Sequence, residues 1–223
     1  MRKITTLCVC LLCIGITTTL KSQTEMTKEQ QRSYAIGANM GLGLMRDGLN
    51  VDMQAFMDGL RDGLANQNKF TDEQMNVIFG ELQQEIMNNR NNQANVEKAK
   101  GKQFLEENKN KEGVQVTASG LQYKIVRQGE GPKPTAKSKV TVHYKGTLLD
   151  GTVFDSTEQT GQPISFGLDQ VIRGWTEGLQ LMNAGSKYIF YIPSELAYGD
   201  QGAGGVIPGG ATLIFEIELL SFE

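Results

Sequence analysis

Nine side chains in the C-terminal half of the chain are of the types that build an apolar receptor with a polar lip. They are Tyr144, Phe154, Asp155, Val171, Ile172, Trp175, Tyr198, Ile207 and Phe215. Aromatic and aliphatic walls carrying one carboxylate and a few phenols suit a small apolar ring such as that of proline, and they contain no nucleophile beside a base. The only histidine, His143, alternates away from Val142 and Tyr144 and is expected outside such a cup, without a catalytic or metal-binding role. A Ser-His-Asp triad would have to use it, and no nucleophile-elbow motif accompanies it. The glycine-rich GAGGVIPGG run lacks the Lys-Ser/Thr that completes a phosphate-binding loop and contains Pro208, so it reads as a rim loop. Taken singly, each residue has a plainer reading: Phe215, Val171, Ile172 and Trp175 as core, Asp155 as a surface turn. Together in one domain they could converge on such a cup.

The elements that must position these residues change character near Gly113. All five prolines lie in the last hundred residues, as do most period-two alternations. Leu121, Tyr123 and Ile125 alternate with polar neighbours, as do Val140, Val142 and Tyr144, and Leu213, Phe215, Ile217 and Leu219 share one strand face. Only Asp169 to Met182 reads as a helix there, which predicts an antiparallel sheet curled around one short helix.

Before Gly113 the pattern is helical. Thr27 to Gln30 fits a capping box, followed by two apolar rows, Tyr34/Ala38/Leu42/Met45 and Ile36/Met40/Leu44. Asp52 is placed to cap a second helix with the stripe Met53, Phe56, Leu60 and Leu64. Thr71 is placed to cap a third, with Met75, Ile78, Phe79, Leu82 and Ile86 on one face. From Asn88 to Lys111 the stripe nearly vanishes, which predicts a solvated helical spacer. A helix with two apolar faces needs more than one partner, and its own chain offers short ones. Gly37 and Gly41 permit a close crossing, so an intertwined homodimer through residues 23–112 is expected, and the cup is expected to be self-contained.

At the N-terminus Arg2 and Lys3 precede an apolar stretch to about Ile16, and Ser22 offers a small residue before Gln23, the pattern of a signal peptide over residues 1–22. All three cysteines, Cys8, Cys10 and Cys13, lie inside it, so a processed chain has no disulfide, zinc-thiolate site or cysteine nucleophile. Of 22 basic and 25 acidic side chains, processing removes Arg2, Lys3 and Lys21 and no acid, leaving 19 bases and moving the net charge from −3 to −6. That balance argues against nucleic acid as a partner.

The runs VTVHYKGTLLDGTVFDS, VIRGWTEGL, ELAYG and IPGGATLIFEIELL resemble, in order and spacing, the FKBP-type peptidyl-prolyl cis-trans isomerases, from about Gly113 to Glu223. The helical region, with its YAIGANMG run, is similar to the N-terminal domain of the Mip-like subclass of exported bacterial members. The resemblance implies an α+β chain: an all-helical dimerisation domain and long connecting helix over 23–112, then an FKBP-like sheet domain over 113–223. It implies isomerisation of X-Pro bonds, with no cofactor and no metal. Asp155, the Tyr198 hydroxyl and the backbone N–H of Ile207 are implied as catalytic, and Tyr144, Phe154, Ile164, Phe166, Val171, Ile172, Trp175 and Phe215 as the proline-binding wall, Trp175 being its floor. Ile164 and Leu196 stand where the family often has an aromatic, and Ala203 where it often has His. The implied partners are unfolded, proline-containing exported polypeptides and macrolide inhibitors. The implied location is exported and periplasmic, with outer-membrane association or secretion as alternatives. The other reading is a dimeric holdase that binds unfolded chains without catalysis.

Overall fold

The computed structural model describes residues 26–223; the expected signal segment, its cysteines and its cleavage site lie outside the described residues. The chain divides into two units within its first helix, between Gly41 and Leu42. Among the described residues no helix is long and apolar enough to cross a membrane.

Three helices come first, α1 (Lys28–Arg46), α2 (Met53–Leu64) and α3 (Asp72–Asn108), and each starts where a side chain can satisfy a free backbone donor. Thr27 Oγ1 accepts from the Gln30 N–H at 3.2 Å while the Gln30 side chain accepts from the Thr27 N–H at 2.8 Å. Asp52 caps α2 through the Ala55 N–H at 2.9 Å, and Thr71 and Gln74 repeat the reciprocal box at α3. Neither α1 nor α2 buries a single residue. Tyr34, Ile36 and Met45 are 67%, 64% and 72% exposed, so the two apolar rows of α1 stand largely uncovered among the described residues.

The spacer expected after Asn88 is helical and mostly exposed, but one face of it is covered; it is the last part of α3. Helix α3 is 37 residues long, and its last four turns bury Ala94, Gly101 and Asn108. These lie seven residues apart and therefore on one face. The face carries small and polar residues in place of large apolar ones, which is why the apolar stripe gave no sign of it. Asn108 Nδ2 donates to Gln122 Oε1 at 3.0 Å, Gln122 Nε2 donates to the Leu105 carbonyl at 2.8 Å, and the Phe104 and Tyr191 rings meet at 5.8 Å.

Seven antiparallel strands follow: β1 (Val114–Val116), β2 (Gln122–Arg127), β3 (Lys139–Thr147), β4 (Val153–Ser156), β5 (Ile164–Gly167), β6 (Lys187–Ile192) and β7 (Leu213–Phe222). Their order is β1-β2-β6-β7-β3-β4, with β5 pairing the start of β3 while β4 pairs its end. The helix α4 (Arg173–Leu179) is shorter than its apolar pattern and crosses the inner face. It sits close to the sheet because Gly178 has no side chain: a Cβ there would lie 2.6 Å from the Phe190 ring. Between helix and sheet lie Val140, Val142, Leu179, Met182, Phe190, Ile192 and the inward row Leu213, Phe215, Ile217 and Leu219, all buried. On β2 the alternation fails: Ile125 and Val126 are both exposed, and the buried apolar residue is Leu121 just before the strand.

Candidate active site

The open end of this sheet holds a cavity of about 650 Å³, and every residue singled out from the sequence lines it. Tyr144 comes from β3, Phe154 and Asp155 from β4, Ile164 and Phe166 from β5, Val171 and Ile172 from the turn before α4, Trp175 from α4, and Phe215 from β7. Tyr198 and Ile207 come from the segment joining β6 to β7. Gln170, Gly204 and Val206 also line it and were missed, as was the lining role of Ala203. Their types carry no chemical signal; only their neighbours in sequence, Val171 and Ile207, pointed to them.

Edge-to-face rings close the floor. Trp175, 6% exposed, meets Tyr144 at 5.1 Å and 80° and Phe215 at 5.0 Å and 81°, and Phe154 meets Phe215 at 5.4 Å and 85°. Such crossings place the positive ring edge on the negative face and fix each ring against its neighbours. Gly146, opposite Phe215 in the β3–β7 register, makes room for the last pair, since a Cβ there would lie 2.6 Å from Phe154 and 2.7 Å from Phe215. Phe166 leans on Trp175 at 5.2 Å. The Trp175 indole N–H is buried without a hydrogen-bond partner among the described residues.

The polar groups sit at the lip. Tyr144 donates its hydroxyl to Asp155 Oδ2 at 2.5 Å, an arrangement that locks both side chains. Burial, reinforced by that carboxylate, pushes the Tyr144 phenol well above the usual tyrosine value. Burial and then the Asp155 charge push Tyr198 up as well. Both phenols are therefore neutral donors across the physiological range. The Tyr198 hydroxyl makes no hydrogen bond among the described residues.

The backbone N–H expected to be a free donor, that of Ile207, is already bonded. The N–H of Ile207 is committed to the Ala203 carbonyl at 3.0 Å, and the Ala203 N–H returns a bond to the Ile207 carbonyl at 3.0 Å. This two-way bridge closes the rim loop on itself, so Ile207 presents its side chain to the cup while its N–H is engaged. The N–H of Ile172, the residue before α4, donates to nothing among the described residues, because a helix's first N–H groups have no carbonyl one turn back.

His143 lies outside the cup, in a separate polar recess of about 120 Å³. Its Nδ1 lies 3.1 Å from the hydroxyl of Thr157, which in turn accepts from the Tyr144 N–H at 3.0 Å.

Comparisons with known proteins agree with this geometry. The family described as "FKBP-type peptidyl-prolyl cis-trans isomerase" matches residues 131–220, and that described as "Domain amino terminal to FKBP-type peptidyl-prolyl isomerase" matches residues 29–125. The chain is 45% identical to "Outer membrane protein MIP" of Legionella longbeachae over 88% of this chain and 87% of that one. It is 44% identical to the FKBP-type peptidyl-prolyl cis-trans isomerase FkpA of Aeromonas hydrophila over 87% of this chain and 76% of that one. Among solved structures, FkpA from Escherichia coli superposes with a TM-score of 0.65 at 34% identity, covering 88% of this chain and 97% of that chain.

Proposed function

This chain belongs to the FKBP-type peptidyl-prolyl cis-trans isomerases and catalyses rotation about X-Pro bonds, and on that premise we propose that the rotation takes place in the aromatic cup, with the proline ring on Trp175. The X-Pro bond resists rotation by about 18–20 kcal/mol because twisting breaks amide resonance. Halfway round, the carbonyl oxygen has lost negative charge and the nitrogen has regained its lone pair, so the twisted amide is less polar than either planar form. A water-excluding pocket of rings favours it over the planar, solvated ground state. A 10⁵-fold acceleration needs about 7 kcal/mol of that difference.

The single observation that carries this reading is a ring-walled floor with unspent donors at its lip. The Tyr198 hydroxyl and the Ile172 N–H hold the substrate backbone on either side of the proline. Asp155 orients Tyr144 and keeps negative potential at the lip. An X-Pro peptide added to labelled protein tests the assignment: the Ile172 amide proton and Trp175 indole shift strongly while the Ile207 amide moves little. A large Ile207 shift with Ile172 unchanged overturns the donor assignment.

Residues 23–112 serve as the dimerisation domain and 113–223 as the isomerase domain. The chain is exported after loss of residues 1–22 and acts in the periplasm on unfolded, proline-containing polypeptides; the Legionella relative's name places that protein at the outer membrane. Exposed apolar side chains on α1 and α2 support pairing with a second copy, since burying each is worth about 1.5–3 kcal/mol. The same exposure supports the holdase reading. Residues 23–112 alone suppressing aggregation of a client to the level of the whole chain would favour it.

A further inference from the structure

The segment between β6 and β7 supplies Tyr198 and Ile207 to the cup, and both ends of it rest on α3. At one end Lys98 Nζ forms an ion pair with the Asp200 carboxylate. At the other, Gly210 packs against the helix backbone so closely that an added Cβ would lie 2.2 Å from the Ala94 carbonyl oxygen and 3.0 Å from Lys98 Cγ. One turn-pair further along, Gly101 faces Thr212, where an added Cβ would lie 2.2 Å from Thr212 Oγ1. Ala94 and Thr212 are 2% and 4% exposed, so the glycine contacts of the seam are closed to solvent while the Lys98–Asp200 pair stands at its surface. The two ends are tied to each other by the Gly210 N–H and the Gly199 carbonyl at 2.8 Å. Between them the chain rises as one loop, closed at its neck by the Ala203–Ile207 bridge.

From this placement we infer that the Ala94–Lys98–Gly101 face of α3 is a positioning surface for the isomerase site. It sets the height and tilt of the Tyr198–Thr212 loop, and through it where the Tyr198 hydroxyl and the Ile207 side chain stand over the proline. The physical reason is the absence of slack. Backbone-to-backbone contacts through glycine and alanine leave no flexible side chain to absorb a shift of the helix, and packed interiors transmit small displacements. Anything that displaces the C-terminal half of α3 is therefore felt at the lip of the cup. The inference rests on the reading of the cup as the site of isomerisation; the loss of turnover in Phe215→Ala reports on that reading, and the following variants report on this one.

The test uses the whole chain and a short X-Pro peptide, on which the helical region has no direct hold. Gly101→Ala places a methyl group against Thr212 while improving the helix's own propensity, so its effect comes from the seam and not from a melted helix. We expect kcat/KM to fall three- to tenfold, with the amide signals of Tyr198 and Ile207 displaced. Gly101→Ala combined with Thr212→Ala removes the clashing hydroxyl and should restore both within twofold, a rescue that mere loss of stability would not show. Should Gly101→Ala not fold, Lys98→Glu tests the same seam from the surface. It should lower turnover about twofold and shift the Tyr198 amide, with recovery in the charge swap Lys98→Glu with Asp200→Lys. Folded variants that keep wild-type turnover and unshifted Tyr198 and Ile207 signals would show that α3 only tethers the domain, and would overturn the inference.

Discussion

Asp155 shows how a single residue carries two duties: its carboxylate fixes Tyr144 by a 2.5 Å hydrogen bond and adds to the burial that holds the Tyr144 and Tyr198 phenols neutral. The pH consequence has a definite sign. Both phenols have folded values above the free tyrosine value of about 10, so the unfolded chain loses these protons first. Their contribution to stability is complete below about pH 10 and is lost as pH rises past it toward the folded values. The denaturation midpoint should be insensitive to these groups from pH 7 to 9 and fall above pH 10, with a smaller fall in Tyr144→Phe; a drop between pH 7 and 9 that Tyr144→Phe abolishes would contradict this. At Phe215, 4% exposed, truncation to Ala should cost about 3–5 kcal/mol in a urea titration and lower turnover in the molecules that remain folded. All eleven side chains named from the sequence line the cup, nine of them singled out by residue type within one domain and Ile164 and Phe166 only through the family resemblance. That the Ile207 N–H is engaged was not legible, because a backbone N–H has no residue-type signature and only the closed Ala203–Ile207 bridge shows it.

At the scale of elements, caps were the most legible feature. Thr27, Asp52 and Thr71 each start a helix where their side chains meet a free N–H. The expected extent of α4 was too long because Val171 and Ile172 spend their apolar side chains on the cup wall and Leu181 and Met182 on a turn into the core. The seam of α3 was invisible because Ala94, Gly101 and Asn108 contribute by being small or by hydrogen bonding, which no hydrophobic period detects. Close approach without side chains recurs at α4, and it yields a prediction. Gly178→Ala gains about 1 kcal/mol of helix propensity but drives a methyl group to 2.6 Å from one Phe190 ring atom and 3.0 Å from another. Overpacking of that kind costs about 2–3 kcal/mol, toward the upper end of what extra methyl groups cost in a filled core. The net expectation is a variant less stable by about 1–2 kcal/mol in chemical denaturation; equal or greater stability would show that α4 has slack.

For the whole molecule, Ile36, Tyr34 and Met45 stand in solvent on a helix with no buried residue, a surface that a second copy would cover. The processed chain should sediment as a dimer at micromolar concentration. Ile36→Glu should shift it toward monomer while leaving turnover on a short peptide within about twofold, since α1 contributes nothing to the lining of the cup. An Ile36→Glu protein that stays dimeric would place the pairing surface elsewhere. Removal of residues 23–112 takes away the dimer surface and the α3 seam together, so the shortened chain is expected to be monomeric and also slower on a short peptide than the whole chain. The central claim is that rotation about the X-Pro bond takes place over Trp175, and exchange spectroscopy on an X-Pro peptide tests it most directly. With a small fraction of the whole chain present, interconversion of the cis and trans peptide signals should quicken from the uncatalysed tens of seconds to well under a second, the Trp175 indole signal should move on binding, and folded Phe215→Ala should lose most of the acceleration. Undiminished acceleration in folded Phe215→Ala, with the Trp175 signal unmoved by peptide, would contradict the account.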